Sequence, residues 1–405
     1  ALARSATGRA SRRVKVTPLA AASPAAVRAA LRAGGFEEWK ADAAAQGTEA
    51  AALRLSGLDE ATREALVAYA GGKLGLDVLT TADGAVVSGS RARLQSLARP
   101  WVGPPELAEL AFHVGLALPV ELPAIWVTAT GSLDLDRPVI VGILNVTPDS
   151  FSDGGSLPTV EAAVSRAELL LAGGASMLDV GGESTRPGRP DPVSSEEEVA
   201  RVVPVVMALR RRWPQVPLSV DTVKAVTARA ALDAGASAVN DVSGLRLDPD
   251  MARVVADAGA GVVLMHSRGG LASMASYDDA DYGGDVVGGV IEELRSAVER
   301  ATSAGVGADH IVIDPGFGFS KTVEQNLVLA DQLTALRALG RPILVGPSRK
   351  RFLGAVTGRD LADRDRATAA FCALTYARGA RLFRVHDPAA TRDALALAQA
   401  FGAAH

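Results

Sequence analysis

The chain has 405 residues, a formal net charge of −4 at pH 7, 48% hydrophobic residues and 22% charged residues. These values exclude a collagen-like, coiled-coil or globally disordered chain. The slight acidity argues against a basic nucleic-acid-binding protein, and no run of 18 apolar residues predicts a membrane span. The single cysteine, Cys372, excludes an internal disulfide and a paired-cysteine metal site.

Residues 1–18 form a basic segment that is rich in Arg, Ser and Ala. Flexible tails and organelle transit peptides share this composition. The twin arginines are not followed by an apolar segment, which argues against an export signal. We favour a flexible tail and, from the lone cysteine, a cytoplasmic location, with organelle targeting as the alternative.

Residues 19–132 predict a small α+β domain. Helices are predicted over residues 24–33, 59–70, 90–97 and 104–118. Strands are predicted over residues 51–55, 76–79 and 85–88. No cluster of catalytic residue types occurs here, so we interpret the segment as a structural or assembly domain of unknown role.

From residue 136 onward, short apolar runs alternate with longer helical stretches. The predicted strands are residues 139–144, 177–180, 218–220, 238–239, 261–264, 311–313, 343–345 and 382–385. The predicted helices are residues 160–172, 195–211, 223–234, 249–258, 286–304, 323–339, 363–378 and 388–401. Eight strand–helix units predict an α/β fold, a (β/α)₈ TIM barrel over residues 136–405. The competing fold, an open doubly wound sheet, rarely needs eight regular units.

Polar residues follow every predicted strand, where a TIM barrel carries its chemistry. Five are cationic and suit a phosphate or diphosphate: Arg186, Arg349, Lys350, Arg384 and His386. Asp221, Asn240 and Asp314 could read the N–H and NH₂ edge of a pterin-like or guanine-like ring. They could instead act as acid and base or as metal ligands. A surface ion pair or a helix cap explains any one of these residues, but eight polar strand ends favour a site.

Two long motifs and five short ones mark the predicted strand ends. The long motifs are ILNVTPDSFSDGG at residues 143–155 and DVGGESTRPG at residues 179–188. The short ones are SVDT (219–222), NDVSG (240–244), DPGFGF (314–319), SRK (348–350) and RVHD (384–387). In this order they resemble dihydropteroate synthase, a pterin-binding TIM-barrel family. The resemblance covers residues 136–405 and indicates a long form with an N-terminal extension.

The resemblance implies a transferase of folate biosynthesis. It would condense 6-hydroxymethyl-7,8-dihydropterin diphosphate with p-aminobenzoate and release 7,8-dihydropteroate and diphosphate. The implied reaction is a Mg²⁺-dependent dissociative substitution, in which diphosphate leaves before the arylamine attacks. The resemblance also implies inhibition by sulfonamides and a homodimer, with no nucleic-acid or membrane partner.

The resemblance also implies a role for individual residues. The implied diphosphate ligands are Asn145, which would also hold Mg²⁺, and Arg186, Arg384 and His386. The implied pterin ligands are Asp221, Asn240, Val242, Met265, Asp314, Gly318 and Lys350. The implied p-aminobenzoate contacts are Thr185, Arg186, Pro187, Phe319 and Arg351. Asp153 would organise the first loop. The implied catalytic set is Asn145, Arg186, Asp221, Lys350, Arg384 and His386.

Three residues depart from the pattern of the family. Ser267 stands where Met is frequent, Ser320 where Gly is frequent, and Arg351 where many relatives have Ser. These changes concern the affinity for p-aminobenzoate more than the type of reaction. Two alternatives remain, a methyltetrahydrofolate-to-corrinoid methyltransferase and a non-catalytic pterin-binding paralogue. The SRK and RVHD motifs argue against the first alternative, and the two long loop motifs argue against the second.

Overall fold

The computed structural model describes residues 50–82, 84–98, 103–118, 122–147, 159–183 and 193–403. It divides into two compact units, of which the second begins at Ala117. The predicted basic tail, residues 1–18, and the helix predicted over residues 24–33 lie outside the described residues. None of the described helices is long and apolar enough to cross a membrane.

The first unit contains a three-stranded antiparallel sheet with α-helices. The strands are β1 (Ala50–Ser56), β2 (Asp77–Thr80) and β3 (Gly84–Ser90), with β3 in the centre. The helices are α1 (Glu60–Leu66), α2 (Arg91–Leu97) and α3 (Ala108–Ala117). Asp59 begins α1 as its N-cap, because its side chain accepts a hydrogen bond from the Thr62 amide at 2.8 Å. A π-helical segment, Val67–Lys73, continues α1, so the helix predicted over residues 59–70 changes its geometry halfway.

The second unit is a closed barrel of eight parallel strands in chain order, so the TIM-barrel prediction is confirmed. The strands are β6 (Val139–Asn145), β7 (Met177–Gly181), β8 (Leu218–Asp221), β9 (Ala238–Asp241), β10 (Gly261–Met265), β11 (Ile311–Asp314), β12 (Ile343–Val345) and β13 (Ala380–Val385). Each contains or overlaps the apolar run that predicted it, because strands buried on both faces read as continuous apolar segments.

Helices follow the strands and pack against their outer faces. They are α4 (Val160–Ala172), α5 (Ser195–Arg212), α6 (Ala225–Asp233), α7 (Met251–Asp257), α8 (Val286–Ser303), α9 (Val323–Asp331), α10 (Arg351–Thr357), α11 (Asp365–Tyr376) and α12 (Pro388–Ala403). The structure differs from the sequence pattern in two places. The helix predicted over residues 323–339 ends at Asp331 and continues as a 3₁₀ segment, Leu333–Leu339, and α10 had not been predicted.

A β-hairpin that the sequence pattern missed precedes the barrel. Its strands are β4 (Ile125–Thr128) and β5 (Gly131–Asp134). Trp126 is fully buried, and its indole Nε1 donates a hydrogen bond to the carbonyl of His310, just before β11, at 2.8 Å. The ring lies so close to Gly261, the first residue of β10, that an added Cβ would come within 2.9 Å of it. The hairpin therefore lies at the N-terminal end of the barrel and belongs to the second unit, whereas the sequence pattern assigns residues up to 132 to the first domain.

Alternate residues of the strands share the barrel interior, because side chains alternate along a strand. The lower layer is apolar and packs with Trp126: Val141, Met177, Ala238, Val263, Val312, Leu344 and Leu382. Two residues further along β7, β9, β11 and β13 the same interior receives polar side chains: Asp179, Asn240, Asp314 and Arg384. A step of two residues thus separates the packed core from the charged end of the barrel.

Candidate active site

A cavity of about 390 Å³ opens at the C-terminal ends of the barrel strands. Its lining combines four arginines with Asn145, Glu183, Asp221, Ser348, Lys350 and His386, and with a few small and apolar residues. This volume is within the range of small-molecule sites. The position agrees with the strand-end site that the sequence predicts.

Arg384 is the centre of a buried ionic network. Its Nε lies 2.5 Å from Asp179 Oδ2, and its Nη2 lies 2.6 Å from Asp221 Oδ2. Ser219 Oγ and Asn240 Nδ2 donate to the two oxygens of Asp179, at 2.6 and 3.1 Å. Burial opposes the guanidinium charge, yet Asp179 and Asp221 raise the pKa of Arg384 above its ordinary value. A cation is therefore held in a fixed orientation at the floor of the cavity.

Asp221 and Asp314 are carboxyl groups with raised pKa values. Burial raises the pKa of Asp221 to about 7 against the lowering effect of Arg384. Burial likewise raises the pKa of Asp314 to about 6, although its Oδ1 accepts a hydrogen bond from the Gly316 amide at 2.7 Å. Asp314 can therefore carry a proton near neutral pH, whereas the ion pair with Arg384 favours the carboxylate form of Asp221.

Lys350 extends along the loop that follows β11. Its Nζ lies 3.6 Å from the centre of the Phe319 ring. Gly318, at φ +80°, makes room for it, because an added Cβ would lie 2.8 Å from Lys350 Cδ. Burial, with Arg384 nearby, lowers the pKa of Lys350 to about 7. A substrate that brings negative charge to this lysine would raise its pKa again.

His386 and Arg349 are both held by neighbours. Ser348 Oγ lies 2.8 Å from His386 Nδ1 and accepts a hydrogen bond from the His386 amide at 3.1 Å. This orients the imidazole at the edge of the cavity. Arg349, at φ +58°, forms a bidentate ion pair with Asp365 at 2.9 and 2.7 Å. The charge of Arg349 is therefore already balanced by Asp365, whereas an arginine that binds phosphate would need its charge available for the ligand.

A second ionic network was not anticipated from the sequence. Lys224 Nζ lies 2.6 Å from Glu183 Oε2, on the cavity wall, and 3.1 Å from Glu198 Oε2. Glu183 also accepts a hydrogen bond from the amide of Val193 at 2.9 Å. Glu183 stands in the second long motif, so the motif itself was the signal that could have identified it.

A third group of polar residues lies behind the loop that follows β11. Lys321 is fully buried, and its Nζ contacts His266 Nδ1 at 2.9 Å and the carbonyls of Gly316 and Phe319 at 3.1 and 3.0 Å. His266 Nε2 in turn lies 3.1 Å from Glu293. Burial lowers the pKa of Lys321 to about 7. Its position two residues after the DPGFGF motif was the available signal.

The structure brings most of the predicted site residues together. Those on the cavity wall are Asn145, Asp221, Gly318, Lys350, Arg351, Arg384 and His386. Val242, Met265 and Phe319 form a buried apolar cluster with Val223, Met274 and Ala275, and Ala275 reaches the cavity. Asn240 and Asp314 are buried at the ends of their strands. Asp153, Thr185, Arg186 and Pro187 lie outside the described residues.

Comparison with known proteins gives consistent matches over the barrel. The sequence profile of pterin binding enzymes matches residues 141–386. A dihydropteroate synthase of Mycobacterium leprae is 47% identical over 264 residues, which are 63% of this chain and 90% of that protein. A dihydropteroate synthase of Synechocystis is 44% identical over 252 residues, 62% of this chain and 86% of that protein.

Solved structures give the same result. The Xanthomonas albilineans dihydropteroate synthase with 4-aminobenzoic acid is 47% identical, with a TM-score of 0.62, over 67% of this chain and 96% of that one. The same enzyme in complex with 7,8-dihydropteroate is 45% identical, with a TM-score of 0.59 and the same coverage. The Yersinia pestis enzyme with a sulfonamide drug complex is 38% identical, with a TM-score of 0.64, over 69% of this chain and all of that one.

Proposed function

Because the chain belongs to the pterin-binding enzyme family and, within it, to the dihydropteroate synthases, we propose how its own residues carry out that reaction. The enzyme is a transferase that condenses 6-hydroxymethyl-7,8-dihydropterin diphosphate with p-aminobenzoate, giving 7,8-dihydropteroate and diphosphate. The relatives support this reaction and give no support to methyl transfer to a corrinoid or to a non-catalytic role. The observation that carries the proposal is Arg384, a cation fixed by two carboxylates where the leaving group would lie.

The diphosphate is proposed to bind Arg384 and His386, together with Asn145 and Arg186. Negative charge accumulates on the diphosphate as the bond from carbon to oxygen breaks. Fixed cations stabilise that charge without having to reorganise, which lowers the barrier to departure. The orientation of His386 by Ser348 and of Arg384 by Asp179 supports this assignment.

The pterin is proposed to lie deeper in the cavity, against Asp221, Asn240, Asp314 and Lys350. Carboxyl and amide groups at these strand ends match the donors and acceptors of a pterin edge. Loss of diphosphate leaves a cationic pterin, and the carboxylate groups of Asp221 and Asp314 would stabilise its positive charge. Val242, Met265 and Gly318 would form the apolar surface beside the ring.

The arylamine is proposed to bind at the outer part of the cavity. Phe319 and Arg351 represent this subsite in the structure, and Thr185, Arg186 and Pro187 would complete it. The amine nitrogen then bonds to the carbon that the diphosphate has left, and the nitrogen releases a proton to water. Asp153 is proposed to organise the first loop during this step. Sulfonamides are proposed to compete with p-aminobenzoate here, as the bound drug in the Yersinia pestis enzyme suggests.

We propose Mg²⁺ as the cofactor, with Asn145 as its protein ligand. The described residues contain no cluster of three or more His, Cys, Asp or Glu side chains arranged for a metal. Two oxygen atoms nevertheless lie near one another beside Gly181, at the end of β7. A Cβ added at Gly181 would be 3.4 Å from Asn145 Oδ1 and 3.7 Å from Asp221 Oδ2. Mg²⁺ usually takes one or two protein oxygens and completes its shell with phosphate and water, which fits these residues. When bound, it would neutralise charge on the diphosphate.

We further propose a homodimer that works in the cytoplasm, without nucleic-acid or membrane partners. The last two helices expose apolar side chains, with Leu374 on α11 at 59% exposure and Leu397 and Phe401 on α12 at 75% each. A helix face in contact only with water is normally polar, so these exposed apolar side chains support a subunit interface. Cys372 is buried and free, as a reducing compartment would allow.

The test is diphosphate release by the purified full chain with Mg²⁺, the dihydropterin diphosphate and p-aminobenzoate. Three control reactions each omit one component. We expect release that requires the arylamine and yields 7,8-dihydropteroate in equal amount. Binding of the pterin without diphosphate release would contradict the catalytic assignment. The variants Ser267→Met, Ser320→Gly and Arg351→Ser would then show whether a departure from the family pattern is responsible.

A further inference from the structure

We propose that Tyr277 is a positioning residue that sets the enzyme's preference for anionic arylamines by holding the Arg351 guanidinium. The proposal rests on the proposed p-aminobenzoate subsite and adds a residue to it. Tyr277 lies in the long loop between β10 and α8, where no motif of the sequence pointed to a role. The residue is 43% exposed, so its contact with Arg351 is not a by-product of core packing.

Two contacts hold Arg351, the first residue of α10. Its Nη2 donates a hydrogen bond to the carbonyl of Ala275 at 2.6 Å. Its guanidinium carbon lies 4.7 Å from the centre of the Tyr277 ring, within the range of a cation–π contact. Arg351 and Ala275 both line the cavity. Since a guanidinium has five N–H donors, four remain for a carboxylate beside it.

The loop that carries Tyr277 is itself anchored to the barrel. The amide and the hydroxyl of Ser320 both donate to the Met274 carbonyl, at 2.9 and 3.0 Å, and the Arg268 amide donates to the same hydroxyl at 3.0 Å. The Tyr282 hydroxyl donates to the Ser320 carbonyl at 3.0 Å. Ser320 therefore fastens the loop on both sides of Tyr277, and two departures from the family pattern, Ser320 and Arg351, act on one loop.

The anchored loop places the charge next to the proposed arylamine ring. Met274 is fully buried in the same apolar cluster as Ala275 and Phe319, which is the proposed contact of that ring. A guanidinium held at the rim of this cluster would favour an arylamine with a carboxylate over a neutral one of equal shape. Without Tyr277, the long Arg351 side chain would sample more rotamers and lose part of this preference.

The experiment compares p-aminobenzoate with p-aminobenzamide, which has nearly the same shape and no charge. For Tyr277→Ala and Tyr277→Leu we expect the KM for p-aminobenzoate to rise about two- to fivefold, which is the size of an exposed cation–π contact. The kcat, the KM for the dihydropterin diphosphate and the kcat/KM for p-aminobenzamide should stay unchanged. Tyr277→Phe keeps the ring face and is the matched control, expected to behave as the wild type.

Three outcomes would overturn the proposal. The first is an unchanged KM for p-aminobenzoate in Tyr277→Ala while Arg351→Ala raises it, which would retain the subsite and remove Tyr277 from it. The second is an equal loss with both arylamines, which would indicate a general loosening of the loop. The third is a Tyr277→Phe variant as impaired as Tyr277→Ala. Absence of p-aminobenzoate-dependent turnover in the wild type would instead refute the proposed function.

Discussion

The two ends of the barrel are formed by the same eight strands but differ in chemistry. At the N-terminal end, Trp126 and a ring of apolar side chains pack into a buried core. At the C-terminal end, Arg384 is clasped by Asp179 and Asp221, and Lys350 lies over Phe319. Met177 and Asp179 show how short the transition is, because they are neighbours on one face of the same strand.

This difference shows that one strand can serve stability and chemistry in successive interior positions. The apolar end stabilises the fold through burial, and each side chain there is free to be optimised for packing. The charged end buries ions that are costly to desolvate, so each needs a partner or a shifted pKa. Arg384 has its partners, whereas Asp314 and Lys350 have pKa values moved towards neutrality.

The largest effect that would test this comparison is expected from Arg384→Ala. We expect kcat to fall by about a thousandfold or more, because the leaving group loses a pre-oriented cation. The free energy of unfolding should also fall by about 3 to 5 kcal/mol, since Asp179 and Asp221 remain buried without their partner. Diphosphate release and urea unfolding measure the two quantities. Arg384→Lys is the control, because it retains the positive charge without the planar guanidinium that pairs with both carboxylates. Near-normal turnover in Arg384→Ala would refute the assignment.

Trp126→Ala is the matching change at the opposite end. It should lower the free energy of unfolding by about 3 to 5 kcal/mol, because a large buried side chain is replaced by a cavity. The kcat per folded molecule should stay within about twofold of the wild-type value, since the ring faces the lower layer of the barrel. Trp126→Phe keeps most of the packing, loses the bond to the His310 carbonyl, and should cost about 1 kcal/mol. A large loss of turnover in Trp126→Ala would show that the two ends are coupled.

The sequence predicted the barrel well, because short apolar segments alternate regularly with longer helical segments over eight units. It missed the hairpin of β4 and β5, whose four-residue strands lie before the regular pattern begins. It also missed α10, because only seven residues follow the SRK motif before the chain turns. Both are short elements whose conformation depends on tertiary packing.

The site divides in the same way between what spacing reveals and what it hides. The sequence pattern showed where the strands end, so the cavity residues Asp221, Lys350 and Arg384 could be predicted. Pairings between distant segments were not, such as Lys224 with Glu198, 26 residues apart, or Lys321 with His266, 55 apart. The bidentate pair of Arg349 with Asp365 likewise balances a charge that the sequence assigned to phosphate binding. Which side chains pair across such sequence distances is decided only when the barrel closes.

The smallest of the expected effects concerns the pH dependence of stability at Lys321. Burial lowers its folded-state pKa from 10.5 to about 7. When the folded-state pKa of a lysine is depressed, the unfolded state binds a proton over a pH range in which the folded state does not. The free energy of unfolding is therefore highest above the unfolded-state pKa, and it decreases as the pH falls towards the folded-state pKa. Relative to Lys321→Met, which has no ionisable group at this position, the wild type should therefore lose about 2.5 kcal/mol between pH 9.5 and pH 7.5. Urea unfolding at the two pH values measures the difference.

Lys73→Met, at an exposed lysine of the first unit, is the control for this pH series, and we expect its difference from the wild type to stay constant. A constant difference for Lys321→Met as well would contradict the prediction. It would mean that the three acceptors around Nζ, namely His266 Nδ1 and the carbonyls of Gly316 and Phe319, offset burial and keep the ammonium charged. Lys321 would then resemble Arg384, and the charged end of the barrel would hold its ions by pairing rather than by neutralising them.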